Sequence, residues 1–450
     1  MTQAPAPRKH LSADGLLRNI QQTFLRIPDP RTTNTSVSLP DALMSGLAMF
    51  ALKDPSLLAF DQRRQRDEKN LQMVFHIQHV PADTTLRETL DPVDYEQLRP
   101  AFRNAFTALQ RDNGLASLRF LDGYYLLALD GTEYFSSHKI HCEHCLEKHH
   151  RDGKVTYHHQ MLGAAIVCPG RREVIPLMPE PILKQDGDTK NDCERNALKR
   201  FLPKFREDHP HLRVIATLDA LYANAPVIRD LRAAFMPWII CVKPDGNAFL
   251  FEQVRQLAEQ GLTEDFEAVG ADRVFRRYQL AHNVPLNESN PDVRVDFLDV
   301  WEPTGQDQWQ RFTYILDPLL RLSRQQAERW MQGGRARWKI ENETFNTLKN
   351  QGYHFEHNYG HGYQHLTVVL MMLMMLAFLV DQIQQLCCPL FAAAWEKCHS
   401  KRALWERQRE IFHQFQVSSM QAIYAAMLST GKPPSNSRSR RVGSSSQAKR

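Results

Sequence analysis

The chain has 450 residues, 42% apolar and 24% charged, enough for two or three domains around a large buried core. Its net charge of +5 suits an anionic partner without requiring one. Eight cysteines in this length exclude a disulfide scaffold, and the N-terminal stretch MTQAPAPRKHLSADG lacks the apolar core of a secretory signal, so a reduced, cytoplasmic protein is expected.

Residues 1–34 are polar and carry prolines, which predicts a flexible N-terminus. From 38 to 112 the apolar spacing is helical, broken at Pro55, Pro81 and Pro92. This gives a small helical domain over 35–115, an architecture common among duplex readers. Near residue 117 the period changes to that of strands. SLRFLDGYYLLALDGTEYF reads as one strand, and KVTYHHQMLGAAIVCPGRREVIPLM as two joined at Pro169-Gly170. CERNALKRFLPKFREDH is a helix with an apolar stripe at Ala197, Leu198, Phe201 and Phe205. LRVIATLDALYANAPVIRDLRAA is strand, turn and helix, and MPWIICVKPDG is a strand stopped by Pro244. The order predicts an α/β core over 116–245 and 323–400, a mixed sheet flanked by helices.

Residues 246–322 fit that pattern less well and are expected to form an inserted subdomain. After Gly333-Gly334 comes a helix, RARWKIENETFNTLKNQG, ended by Gly352. The apolar run at 366–380 has 15 residues, short of the roughly 20 that span a bilayer, and reads as a helix buried on all sides. No membrane association is expected. Helices over 401–430 precede a disordered basic tail, 431–450, in which residues 435–450 carry five Arg or Lys and no acid.

Three acids carry the chemistry. Asp130 follows the apolar run YYLLAL, and Asp219 ends VIATL, where a strand stops and a helix begins. Strand ends in such sheets are where sites assemble. Two acids on adjacent strand ends repel each other, which a divalent ion relieves, and hard oxygen ligands suit Mg²⁺ or Mn²⁺. Either aspartate alone reads better as a polar strand terminus or a helix cap. A third acid decides between the readings. On a regular helix with Trp338 at zero, Glu341 falls near 300°, with Phe345 and Leu348 on the face toward the sheet. Glu343 falls near 140° and looks outward. Arg337 lies one turn before Glu341, placed to orient its carboxylate or bind a phosphate.

The stretches LDGT, TLDALYAN and RWKIENETFNTLK together resemble the DDE transposases of bacterial insertion sequences, the cut-and-paste group with a ribonuclease-H-like catalytic core. KQDGDTKNDCERNALKRFL and CVKPDGN are also similar to stretches in that group, and the resemblance covers roughly residues 118–385. Its third acid stands in a signature of Tyr, two residues, Arg, three residues, Glu, six residues, Lys. Arg337 and Glu341 match that spacing, whereas Gly334 stands where the Tyr would be and Lys349 comes one residue late. The resemblance implies Asp130, Asp219 and Glu341 as catalytic, metal-holding residues. It also implies two metal ions astride a scissile phosphate, cutting transposon ends and joining them to target DNA. Double-stranded DNA would be the partner, at terminal inverted repeats and target, with Arg337, Lys339, Lys349 and His357 as contacts. A homodimer on DNA, associated with the bacterial nucleoid, is implied too. A metal-dependent nuclease without strand transfer and a catalytically inactive DNA-binding relative are the rival readings.

HCEHCLEKHH offers Cys142, Cys145, His149 and His150 as a local set of zinc ligands. The competing reading is a reduced, His-rich surface loop. QGYHFEHNYGHGYQHL brings His357 and His361 after the catalytic helix, either as a DNA-contacting loop or as a plain connection. Arg195, Lys199, Arg200, Lys204 and Arg206 lie mostly on one side of a helix, as a solvated face or as a track for a DNA backbone. Cys387-Cys388 are expected to fill core space.

Overall fold

The computed structural model describes residues 8–32, 35–184, 192–305 and 308–429. The basic tail expected over 431–450, and residues 185–191 of the KQDGDTKNDC stretch, lie outside them. The described residues divide into two compact units. One takes the segments up to Ala108, Gln351–His354, and from His365 onward; the other takes Leu109–Asn350 and Phe355–Gln364.

The first unit is helical. Helix α1 (Ala13–Phe24) starts where the Ser12 hydroxyl accepts from the Gly15 N–H, and it buries Leu16, Leu17, Ile20 and Phe24 along one face. That face corrects the expectation of a flexible segment over 1–34: four apolar residues at helical spacing outweigh the polar majority around them. Helices α2 (Leu39–Ala51) and α3 (Leu57–Phe75) are likewise capped by serines, Ser38 and Ser56. They are followed by α4 (Asp83–Leu90) and α5 (Arg99–Arg111).

The second unit is built on one sheet. Its strands are β1 (Tyr125–Ser137), β2 (Leu146–His149), β3 (Val155–Val167), β4 (Ile175–Pro176), β5 (Glu180–Ile182), β6 (Val214–Leu218) and β7 (Trp238–Cys241). β8 (Glu264–Val269), β9 (Phe275–Asn287), β10 (Asn290–Gly305) and β11 (Gln308–Leu316) complete it. The order is β2-β3-β1-β6-β7-β11-β10-β9-β8, with β4 and β5 also paired to β3. β1, β6 and β7 are parallel, whereas β3 and β11 run antiparallel to their neighbours, so the sheet is mixed. All five residues of β6 are buried, as a central parallel strand covered on both faces requires. Helices α6 (Glu194–Asp208), α7 (Ala225–Ala233), α8 (Ala248–Glu259) and α9 (Ala327–Arg335) flank it.

The span 246–322 is not a separate subdomain. Its last strand, β11, hydrogen-bonds to β7 with Ile315 opposite Ile240, so the insertion continues the sheet within the same compact unit. After α9 the chain winds through a π-helical stretch, Ile340–Phe345, and into α10 (Asn346–Asn350).

From His365 the chain belongs to the helical unit again, through α11 (Leu366–Cys387), α12 (Pro389–Cys398), α13 (Lys401–Gln414) and α14 (Met420–Leu428). The boundary expected at residue 400 therefore falls earlier, because α11 packs on α2, where Leu373 sits against Gly46. At 22 residues α11 is long and apolar enough to cross a bilayer, yet 94% of its most apolar window is buried within the protein. Cys388 is buried and Cys387 half-buried at its end. Inside this unit Lys53, with no side-chain exposure, donates to Asp381 at 2.6 Å, and Tyr353 donates to the same carboxylate oxygen at 2.6 Å.

Candidate active site and a second polar cluster

Register explains how two distant aspartates meet. β1 and β6 pair in parallel up to Ala128 opposite Thr217, and Asp130 and Asp219 each lie two residues further on. An even step keeps both side chains on one face of the sheet, at the C-terminal edge of the parallel pair. Asp219 Oδ1 accepts from the Leu221 N–H at 3.0 Å and so caps a short 3-10 turn, which fixes the carboxylate's direction.

The third acid arrives from α9 and the stretch after it. Arg337 Nη1 donates to Asp130 Oδ2 at 2.9 Å and to Glu341 Oε1 at 2.7 Å, bridging acids 211 residues apart. This is what Asp130 meets at the end of its apolar run. Burial pushes the Asp130 carboxyl up to about 7, Arg337 opposes the rise, and a hydrogen bond with Glu341 and the charges of Glu341 and Asp219 add to it. Asp130 is therefore poised to hold a proton near neutrality, chiefly because it is buried and in part because three acids meet one guanidinium. Such a site is short of cations.

The helix carrying Glu341 is not regular. Ile340–Phe345 is π-helical, with more residues per turn than an α-helix, so the angular reading of this segment fails in part. Glu341 does face the aspartates and Phe345 is buried against β3, where a Cβ on Gly163 would lie 2.8 Å from its ring. Trp338 is 40% exposed, not packed inward, and meets Phe312 edge-on. Glu343 is half-buried, not fully outward. At Gly334 the ring of Tyr314 fills the space a side chain would need, 2.3 Å from an added Cβ, so β11 supplies an aromatic where the signature's tyrosine is missing.

The other expected DNA contacts are spread out. Lys339 donates to the Arg171 carbonyl, Lys349 pairs with Glu356 at 2.8 Å, and exposed His357 sits edge-on to Tyr359. The basic face of α6 is partly spent on internal contacts. Arg200 and Lys204 bind Glu180, and Arg206 donates to the carbonyls of Leu212, Ala234 and Phe235.

One acid escaped the reading of the sequence. Glu194 opens α6 and accepts from the Tyr222 hydroxyl at 3.1 Å. Its Oε1 lies 2.1 Å from where a Cβ on Gly131 would stand, so the glycine after Asp130 lets the Glu194 carboxylate lie in its present place. Burial raises the Glu194 carboxyl above its ordinary range, with Tyr222 opposing and Asp219 adding. An acid in the first turn of a helix is ordinarily read as a partner of the helix dipole, which hid it.

The cysteine loop also departs from expectation. His149 and His150 are exposed; His149 pairs with Glu147 and His150 with the Thr156 hydroxyl. They are not gathered with the cysteines, because β2 and the turn after it carry them outward. Cys142 and Cys145 meet His159 of β3 and His361 instead, with all four ligand atoms within 4.8 Å of one another.

The sequence model of the transposase DDE domain matches residues 126–379, more than half of the chain. The chain belongs to the transposase DDE domain family. The match begins in β1 just before Asp130 and takes in Asp219, the sheet insertion and Glu341. The mixed sheet flanked by helices is the ribonuclease-H-like fold expected of this family. It is a family of transposase-type nucleases and recombinases that act on DNA with divalent metal ions. No curated protein sequence matches the chain.

Proposed function

We propose that this member is a DNA transposase that cuts at the ends of its element and joins them to target DNA, with Asp130, Asp219 and Glu341 holding Mg²⁺ or Mn²⁺. The observation that carries the reading is Asp130. A carboxyl raised to about 7 by burial and two neighbouring acids lies in a family whose chemistry calls for cations at such a place.

The donor set suits the ion. Three carboxylates are hard oxygen ligands, and no thiol or imidazole is among them. When bound, divalent ions supply acidity to water or to a DNA 3′-hydroxyl and neutralise charge on the leaving oxygen. The residues do the rest. Asp219, held by its cap, gives a fixed acceptor. Asp130 and Glu341 give up the proton between them and become acceptors together. Arg337 keeps Glu341 aimed at Asp130 and is positioned to meet a phosphate once the acids have other partners. No covalent protein nucleophile is required.

Purified full-length protein should nick and join a duplex ending in the element's terminal inverted repeat, with Mg²⁺ and not with chelator. Asp130→Asn, Asp219→Asn and Glu341→Gln should each reduce both products by at least about 100-fold. Cleavage with no joined product would leave a nuclease; equal activity in wild type and all three variants would end the catalytic reading.

A further inference from the structure

We propose that Cys142, Cys145, His159 and His361 form a closed zinc site that ties the loop after β1 to the segment following the Glu341 helix. The proposal is separate from the acidic site and does not rest on transposase activity.

The geometry is that of a tetrahedron awaiting its centre. Cys142 Sγ is 3.9 Å from Cys145 Sγ and 3.6 Å from His159 Nε2. Cys145 Sγ is 3.3 Å from His159 Nε2 and 3.4 Å from His361 Nε2. Zinc bonded to sulfur at about 2.3 Å and to nitrogen at about 2.0–2.1 Å with tetrahedral angles puts sulfurs about 3.8 Å apart and sulfur and nitrogen about 3.6 Å apart. These four separations match within a few tenths of an ångström, and all four ligand atoms lie within 4.8 Å of one another. A disulfide does not explain the cysteines, since 3.9 Å is nearly twice an S–S bond of about 2.05 Å.

The surroundings are those of a buried centre. Cys145 and His159 are 1% exposed and His361 9%. Phe135 lies 4.4 Å from the His361 ring, and Tyr134 stacks on His159 at 5.9 Å, which holds both imidazoles in place. Two thiolates and two imidazoles favour zinc over the hard cations that suit three carboxylates. Four protein ligands leave no open position, so the ion is structural and takes no part in hydrolysis.

What it holds together matters for the acids. Cys142 and Cys145 lie in the loop that leaves β1, the strand of Asp130, and His159 lies on β3 beside it. His361 stands 216 residues beyond Cys145, after the helix of Glu341. A bond network of this kind fixes the end of that helix against the sheet edge. It also explains why CxxC draws no ligand from the exposed His149 and His150.

The test uses full-length protein purified without chelator. Elemental analysis should find one zinc per chain, and cobalt exchanged into the site should give the intense visible bands of tetrahedral thiolate coordination. Cys145→Ser and His361→Ala should lose the metal, while the double variant His149→Ala/His150→Ala should keep it. Stripping zinc with a strong chelator should lower the melting temperature of wild type and leave that of His361→Ala unchanged. Wild type that purifies without zinc, takes up no cobalt and melts identically with chelator would overturn the proposal, whether or not the variants fold. Loss of zinc from the His149/His150 variant with retention in His361→Ala would overturn it equally.

Discussion

Replacing Asp130 by asparagine should make the metal-free protein more stable, by an amount that grows as pH rises from about 4 to about 7. Asparagine has the shape of a protonated aspartate: its oxygen can accept from Arg337 and its amide can donate to Glu341. The folded Asp130 carboxyl titrates at about 7, against an ordinary 3.8. Because the folded state binds the proton more tightly, wild-type stability falls as pH rises from about 4 to about 7 and stays low above that. At about 1.4 kcal/mol per pH unit, the separation between 3.8 and about 7 sets a ceiling of about 4 kcal/mol. The proton is shared with Glu341, so a gain of about 2–4 kcal/mol for the variant at pH 8 is expected, shrinking toward zero near pH 4. At about 2–4 °C per kcal/mol for a unit of this size, melting should rise by roughly 4–16 °C at pH 8 in the presence of chelator. Paired melting curves of wild type and variant from pH 4 to pH 8 measure this directly. Adding Mg²⁺ at pH 8 should raise the wild type and narrow the gap. A variant less stable than wild type at pH 8, or a difference that does not change with pH, would refute the argument that burial and the neighbouring acids raise Asp130.

Glu194→Gln keeps the hydrogen bond from Tyr222 and removes a charge beside Asp219, so the fold should be unaffected. The Mg²⁺ concentration for half-maximal nicking should rise about tenfold, the scale of a ligand-supporting residue, and an unchanged Mg²⁺ dependence would put Glu194 outside the site. In the helical unit, Asp381→Asn leaves the fully buried Lys53 ammonium without its anion and should cost about 3–5 kcal/mol in urea unfolding. Replacing both, as Lys53→Met with Asp381→Leu, should recover most of that loss; a single-variant cost below about 1 kcal/mol would mean the ammonium is solvated or neutral.

The sheet and its acids were legible because their signals are local. YLLAL and VIATL are apolar runs bounded by polar residues, and a parallel pair of such runs leaves only the next acid on each strand to mark the edge. The helical spacing of Arg337 and Glu341 was legible for the same reason. Three things were not. Ile340–Phe345 is π-helical and packs Phe345 against Gly163, a contact between segments far apart in sequence, so angles counted on a regular helix did not hold for Glu343. His159 and His361, which join the two cysteines, come from a strand and a distant segment, and the nearer His149 and His150 gave the stronger sequence signal while pointing away. Helix α1 was hidden because four buried residues were averaged with polar neighbours and prolines.

The two polar clusters divide the work by ligand chemistry. Burial and the neighbouring acids make the ionised form of Asp130, at the C-terminal edge of β1, costly without a cation beside it. Arg337 answers this in the metal-free protein: one guanidinium nitrogen, 8% of its residue exposed, reaches two of the three acids and supplies part of the missing positive charge. A guanidinium cannot give up its own proton to make room, so under the proposed function an ion binding these acids competes with Arg337 for the same oxygens, and a donor released from them is available to a phosphate. On that reading the residue that restrains the acids also serves the substrate, and both uses follow from Arg337 and Glu341 standing four residues apart.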